Sequence, residues 1–307
     1  MNQDSLRYFD LAYDSIYDGP GHRVVVFFQG CIAKCKWCHS PHSQLYESPL
    51  LFNSDQCISC KKCEEVCAMG VHKFLKGIHS VDRDRCQRCG TCIEYCPMSS
   101  KFRKASALYL PTKQKGVDEF MESIMPHLEL VRNSGGITLS GGEALLQKEA
   151  SIHILEYCKN EEISTIVETS GLLDDSYYKE IEHLVDEWIF GMRLTTGINP
   201  VEHYEKIEHN LELICNMNRK IWIRIPVVPN YTDNYEYLNA LSFLMKKYDL
   251  KDIIVSPWNI EADHYYKLSG SRELMKWPLA EEVLASEKKI REYLEAMGLN
   301  IRDIKKL

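Results

Sequence analysis

The sequence predicts an α/β fold in which short parallel strands alternate with amphipathic helices, broken once by a cysteine-rich insert. Three observations carry this. Apolar runs of strand length recur at 24–28, 136–140, 163–168, 188–194, 221–228 and 253–256. Helical patterns near 117–134, 144–160, 176–186, 202–217 and 235–249 fall between them. Eight cysteines crowd into residues 50–104, where apolar periodicity fails. The strand runs are mostly apolar, as expected where both sheet faces are covered. Among the helices, 202–217 shows the spacing well, with Tyr204, Ile207, Leu211 and Ile214 on one face. A last helix near 280–297 ends at Gly298, a natural C-cap. Strand–helix alternation of this kind predicts a parallel barrel or an open sheet. Six strands are too few for a complete eight-stranded barrel. Residues 1–49 and 105–307 are expected to build this domain, and 50–104 a module held together by metal.

Composition narrows the setting. The chain has 307 residues, 45% of them hydrophobic, so a large core can form. The formal charge is −7 and basic residues form no long run, which argues against nucleic acid as a partner. No apolar stretch approaches the roughly 18 residues of a membrane span. The N-terminal MNQDSLRYFDLAYDS is polar and acidic, without a signal-peptide pattern, so a cytoplasmic protein is expected. Thirteen cysteines in such a chain suggest metal rather than disulfides. Eleven lie between residues 31 and 96; Cys158 and Cys215 sit in helical segments and read as buried structural thiols.

The insert carries Cys57-x2-Cys60-x2-Cys63-x3-Cys67 and then Cys86-x2-Cys89-x2-Cys92-x3-Cys96-Pro97. This is the bacterial ferredoxin spacing, twice. Three cysteines two residues apart wrap one corner of a cubane, and the fourth points to the other cluster. One cluster is therefore expected on Cys57, Cys60, Cys63 and Cys96, and a second on Cys86, Cys89, Cys92 and Cys67. Zinc also takes four thiolates, but its usual pattern is a pair of distant CxxC knuckles. Closed clusters of this kind can only pass electrons.

Upstream, Cys31-x3-Cys35-x2-Cys38 follows the strand VVVFFQG directly. Three thiolates hold three irons of a cubane and leave the fourth open, as a catalytic zinc keeps one position free. An open iron can chelate the amino and carboxylate groups of S-adenosylmethionine (SAM), and electron transfer then yields a 5′-deoxyadenosyl radical. A zinc site completed by His39 would require the adjacent Cys38 and His39 to reach one ion. The loop's place at a strand's C-terminal end, and Trp37 as a shield before the third cysteine, favour the radical reading.

The stretch DGPGHRVVVFFQGC followed by CKWCHSP resembles the start of the glycyl radical enzyme activating enzymes of the radical SAM superfamily. The residues that carry it are Asp18, Gly19, Pro20, Gly21, Arg23 and the segment from Phe27 to Pro41. The resemblance extends over nearly the whole chain and also covers the two-cluster insert at this point. It implies a partial (β/α)6 TIM-type barrel with an inserted bacterial-ferredoxin-like domain of two [4Fe-4S] clusters. It implies that Gly141, Gly142 and Glu143 hold the amino group of SAM. It further implies that Thr169 lies in the family's ETxG-type segment and that Arg224 lies near the SAM carboxylate. Trp37, His39, Arg193 and Asn259 are expected beside the cofactor, and Asp18 and Gly19 to face the partner.

Some positions depart from the family pattern. Strand four usually ends D-x-K and here reads Gly191-Met192-Arg193; Arg193 keeps a cationic contact, whereas Gly191 cannot replace a carboxylate. Pro257-Trp258-Asn259 stands where a histidine usually ends the motif, and Ala144 where proline usually follows GGE. The expected protein is an activase carrying three [4Fe-4S] clusters and SAM. Its partner is a glycyl radical enzyme, and a flavodoxin or ferredoxin supplies its electrons. The same radical chemistry on a small molecule or a peptide is the alternative. A pure electron carrier would explain the insert but not the CxxxCxWC loop, GGE or Arg224.

Overall fold

The computed structural model describes residues 5–99, 106–194, 201–259, 262–271 and 277–302. The chain opens with β1 (Ser5–Ser15), which pairs antiparallel with β2 (Arg23–Phe28). The insert contributes β3 (Leu51–Phe52), α1 (Lys62–Val66), β4 (His72–Leu75), β5 (Ile78–Val81), α2 (Thr91–Glu94) and β6 (Leu108–Tyr109). After it, β7 (Lys113–Gly116) pairs back onto β1. The alternating part then runs α3 (Val117–Val131), β8 (Gly136–Gly141), α4 (Lys148–Asn160), β9 (Ser164–Thr169), α5 (Asp175–Ile181), β10 (Glu187–Gly191) and α6 (Val201–Asn216). It continues through β11 (Lys220–Pro226), α7 (Tyr235–Lys247), β12 (Asp252–Ser256), α8 (Ala262–Ser269), α9 (Ala280–Ala296) and β13 (Asn300–Ile301).

Among the described residues the main sheet has nine strands in the order β13-β12-β11-β10-β9-β8-β2-β1-β7. All neighbours from β2 to β13 are parallel. The six expected strands are all present, side by side in chain order, and the α/β class holds. β13 and β7 are the two edges, so the described residues form an open sheet rather than a closed ring. Val24, Val26, Phe28, Ile137 and Leu139 are fully buried, each contributing roughly 1.5–3 kcal/mol. The helices seal them: α3 buries Phe120, Met121, Ile124 and Leu128.

The structure corrects several boundaries. β10 stops at Gly191, three residues short of expectation; the Met192 N–H to the Arg224 carbonyl is the last ladder bond to β11. A 3-10 turn over Ala144–Gln147 precedes α4, and another over Glu182–Leu184 follows α5. Strand β1 and helix α8 were not expected. β1 alternates buried Leu6 and Tyr8 with partly exposed neighbours, and Tyr8 packs against Phe120 at 5.1 Å.

Arg23 is buried to 1% exposure at the opposite ends of these strands from the cysteine loop. Its Nε donates to Thr138 Oγ1 (2.8 Å), and its Nη2 to the carbonyls of Ile137 (2.5 Å) and Ser164 (2.9 Å). It thereby ties β2 to β8 and β9. Burial lowers its pKa to about 10, which still leaves it charged at neutral pH.

The insert builds only a small core: Leu50, Cys63, Val71, Cys92 and Leu108. Two of these five, Cys63 and Cys92, belong to the expected ligand set, in keeping with a module that needs metal. Its hairpin turns at Lys76 and Gly77, φ 50° and 80°, the pair of left-handed residues that a type I′ turn requires. Chain entry and exit meet in a two-residue ribbon, Leu51 opposite Tyr109 and Phe52 opposite Leu108. The expected boundary at 104/105 lies outside the described residues. Arg83 fastens the module to the main body, donating to the carbonyls of Leu50 (2.9 Å) and Leu268 in α8 (2.8 Å). No described helix is long and apolar enough to cross a membrane.

Candidate active site and iron–sulfur cavities

The last residues of consecutive parallel strands converge on one cavity of about 240 Å³. Phe27 comes from β2, Ser140 and Gly141 from β8, Glu168 and Thr169 from β9, Arg224 and Pro226 from β11, and Ser256 from β12. The carboxyl ends of parallel strands are where such sheets keep their ligands. Cys31, Cys35, Trp37, Cys38 and His39 form the wall beyond β2.

Backbone bonds hold that cysteine loop. Gly30 N–H donates to the Ser43 carbonyl (2.8 Å) and Cys31 N–H to the Gln44 carbonyl (3.2 Å). The Gln29 side chain donates to the carbonyls of His42 (2.8 Å) and Leu45 (2.6 Å). Between the first two cysteines Lys34 adopts φ 45°, a cost that a side chain pays only where the loop's shape is over-determined. Trp37 is 3% exposed and stacks on Tyr231 at 6.4 Å. His39 packs edge-on against Trp258 at 4.9 Å, and burial, then Arg193, push its pKa down to about 4. It is a neutral imidazole at pH 7.

The double glycine brings β8 against this loop. A Cβ on Gly141 would lie 2.2 Å from Phe28 N, and one on Gly142 2.1 Å from the Gly30 carbonyl oxygen. No side chain fits at either position. Glu143 then donates its N–H to Gly30 O (2.8 Å) and turns its carboxylate inward. Ser170 N–H and Oγ–H both donate to Glu143 Oε2, at 2.9 and 2.6 Å. Glu143 Oε1 is buried and receives no such bond. Burial raises the pKa of this carboxyl, and the Ser170 bonds oppose the rise.

Arg224 is held by two carboxylates. Its Nη1 donates to Glu168 Oε2 (3.0 Å) and Asp18 Oδ1 (3.2 Å), and its Nη2 to the Tyr17 carbonyl (2.9 Å). Ser140 Oγ also donates to Glu168 Oε2 at 2.7 Å. Burial disfavours the Arg224 charge, but Glu168 and Asp18 outweigh it, and its pKa lies above the usual guanidinium value. Arg193 is half-buried and its pKa is likewise raised, with Cys35 and Glu168 as the stabilising charges. Its guanidinium folds over Gly191: a Cβ there would meet Nη1 at 2.9 Å and Cζ at 3.0 Å.

Most expected site residues meet in this cavity, but Glu143 is buried and is not on its wall, and three others also lie elsewhere. Asp18 and Gly19 were expected to face a partner; both are buried, and the Asp18 carboxylate accepts from Ser15 Oγ (2.6 Å) and Arg224. Asn259 is exposed and lies outside the cavity wall; its carbonyl starts α8 by accepting from Ala262 N–H (3.1 Å). Ser256 takes the place on the wall that was expected of Asn259. Glu168, Ser170 and Ser140 were missed. The signal for Glu168 was available, since it is a carboxylate at the end of an otherwise apolar strand.

The insert holds two further cavities. Cys57, Cys60, Cys63 and Cys96 line one; Cys67, Cys86, Cys89 and Cys92 line the other. Burial, then neighbouring sulfurs, raises Cys92 to about 12, and burial raises Cys63 to about 11. In the main cavity burial, then Glu143, raises Cys31 to about 12, and burial, then Cys35, raises Cys38 to about 11. Thiols crowded and buried in this way ionise only when a cation offsets the charge, which a coordinated metal does outright. The donor sets therefore suit iron–sulfur clusters. The unpartnered Glu143 oxygen and the two half-buried arginines suit a zwitterion with an ammonium and a carboxylate, as SAM has.

The 4Fe-4S binding domain family matches residues 79–99, the second cysteine run of the insert. The choline trimethylamine-lyase activating enzyme of Oleidesulfovibrio alaskensis is 30% identical over 274 residues, 85% of this chain and 86% of that one. The isethionate sulfite-lyase activating enzyme of the same organism is 30% identical over 295 residues, 91% and 92% of the two chains. The 4-hydroxyphenylacetate decarboxylase activating enzyme of Clostridium scatologenes is 28% identical over 261 residues, 80% of each. A domain of pyruvate-formate lyase-activating enzyme from Bacteroides vulgatus overlays 55% of this chain and 98% of its own, with TM-score 0.41 and 19% identity. Fold, cavity and the likeness to these activating enzymes define an iron–sulfur enzyme of the radical SAM class. Within it, the chain belongs to the glycyl radical enzyme activating enzymes.

Proposed function

We propose that the protein cleaves SAM reductively and installs a glycyl radical on a partner enzyme, acting in the cytoplasm with three [4Fe-4S] clusters. Cys31, Cys35 and Cys38 would hold a cluster that, when bound, would supply one electron to the sulfonium, so that SAM yields methionine and a 5′-deoxyadenosyl radical. That radical takes a hydrogen atom from a glycine Cα of the partner and leaves as 5′-deoxyadenosine. The resulting Cα radical is stabilised by its two flanking amides.

One observation carries the reading: the three-cysteine loop, Gly141, Gly142, Arg193 and Arg224 share one strand-end cavity, and the buried Glu143 follows the two glycines directly. Glu143 Oε1 is buried without a partner behind the double glycine and is the acceptor assigned to the ammonium of SAM, with Ser170 fixing the other oxygen. Arg193 and Arg224 supply positive charge for the carboxylate, and Glu168 and Asp18 hold Arg224 in place. Trp37 and Trp258 keep water from the cavity wall. The insert thiolates hold two clusters that relay electrons from a flavodoxin or ferredoxin.

The test is anaerobic incubation of reduced, reconstituted protein with SAM and a candidate glycyl radical enzyme from the same genome. The expected result is one 5′-deoxyadenosine per doublet EPR signal on the partner. Formation of 5′-deoxyadenosine without the doublet would move the reading to a small molecule or a peptide. No 5′-deoxyadenosine at all would remove the radical chemistry.

A further inference from the structure

Two histidines stand between the insert cavities. His79 lines the cavity of Cys57, Cys60, Cys63 and Cys96, and His72 lines that of Cys67, Cys86, Cys89 and Cys92. They share a hydrogen bond, His72 Nδ1 to His79 Nε2, at 3.0 Å. On the far side of its ring His79 approaches the first cavity, with Nδ1 3.4 Å from Cys57 Sγ. The hairpin sets this up: His72, Phe74, His79 and Val81 share its covered face, and Phe74 pairs across the strands with His79, stacked at 4.2 Å. Phe52 closes the ring's other side at 4.3 Å. The imidazole is therefore clamped in one orientation.

The proton positions follow from what each nitrogen faces. A bond at 3.0 Å between two imidazoles needs one donor and one acceptor nitrogen. If His79 Nε2 donated to His72, the lone pair of His79 Nδ1 would face a cluster thiolate at 3.4 Å, which is repulsive. The attractive arrangement runs one way: His72 Nδ1–H donates to His79 Nε2, and His79 Nδ1–H donates to Cys57 Sγ. The 3.7 Å approach of His79 Nε2 to Cys63 Sγ is then a packing contact. The second cavity draws its sulfur contacts from other groups, Val71 N–H to Cys67 Sγ and Thr91 Oγ1 beside Cys89 Sγ, both at 3.4 Å.

Hydrogen bonds to cluster sulfurs stabilise the reduced, more negative state and raise the potential. We propose that His79, oriented and polarised by His72, donates to the Cys57 thiolate and raises the reduction potential of the cluster in that cavity. His79 is a positioning and tuning residue, not a ligand. The proposal rests on the reading that the insert thiolates hold clusters, and iron content tests that reading separately.

The experiment uses the full-length, anaerobically reconstituted protein, with iron and sulfide measured first. A deficit in the wild type counts against clusters on the insert; full loading leaves only the histidine at issue. EPR-monitored redox titration then compares wild type with His79→Phe, which keeps the stack on Phe52 and Phe74 but removes the N–H. One reduction step is expected to move so that the reduced-to-oxidised ratio at fixed potential falls about tenfold, ~59 mV for a one-electron couple. The other steps stay in place. His72→Phe moves the same step in the same direction by less. Unmoved potentials, equal shifts in all steps, or a His72→Phe effect on a different step would overturn the proposal. If His79→Phe fails to assemble, the unmutated protein labelled with 15N-histidine decides. Pulsed EPR should find a weak histidine nitrogen coupling and an exchangeable proton at one reduced insert cluster, and their absence overturns it.

Discussion

At Gly191 the missing side chain is what the neighbour uses. Arg193 lays its guanidinium across that position and against the Cys35 sulfur. A methyl group would meet Nη1 at 2.9 Å, so Gly191→Ala must push the guanidinium aside. The expected outcome is SAM binding weakened about tenfold, the scale of one charged hydrogen bond, with an unchanged circular dichroism spectrum. Calorimetric titration of the reconstituted protein checks it, and unaltered affinity would make the glycine incidental. The sequence shows the two substitutions, Gly191 and Arg193, as separate departures from a pattern. Only the structure shows them to be one arrangement, because the contact arises from the chain turning back after β10. Arg224 gives the same lesson. Its cationic character was legible, but its clamp by Asp18 and Glu168 joins residues 206 and 56 positions away. No local spacing reports such a pair, and it is why Asp18 faces inward.

Between elements, Gln147 does the most with one side chain. It accepts from Arg7 N–H at 2.8 Å and donates to the carbonyls of Arg7 (2.7 Å) and Gln29 (2.8 Å). It thus joins β1, the turn into α4 and the residue that opens the cysteine loop. Gln147→Leu leaves Arg7 N–H and the Gln29 carbonyl without this partner, while the Arg7 carbonyl keeps the Gln29 N–H, and a loss of about 2 kcal/mol is expected by anaerobic denaturant unfolding. A loss below about 1 kcal/mol would mean that water replaces the amide. The six parallel strands were legible because continuous apolar runs leave few alternatives. β1 was not, because Arg7, Asp10 and Asp14 interrupt it and its outer face is wet. Helix α8 was missed for a related reason: eight residues carry too few turns for periodicity to stand out. The Lys76-Gly77 turn was readable in principle, since a glycine between two short alternating runs marks a hairpin.

For the whole molecule, two kinds of stability coexist. The sheet and its helices are held by dozens of fully buried aliphatic side chains, whereas the insert has a handful, two of them cysteines. Replacing Cys86 and Cys89 by alanine is therefore expected to remove about four irons per chain and expose the insert to protease. The remaining body should stay folded and keep its SAM-responsive EPR signal. Loss of every cluster together would show that the two parts fold as one. Two repeats of one cysteine spacing made it legible that three thiols of each run share a cavity with the fourth thiol of the other run. That spacing gave no sight of His72 and His79, whose importance depends on how the hairpin folds over the cavities.

The ribbon that closes the insert has a consequence for how such chains diversify. Entry at Leu51 and exit at Leu108 lie side by side, outside the parallel strands and clear of the cavity wall. A lineage could excise everything beyond that doorway, or splice in a different wiring cassette, without re-threading the catalytic frame.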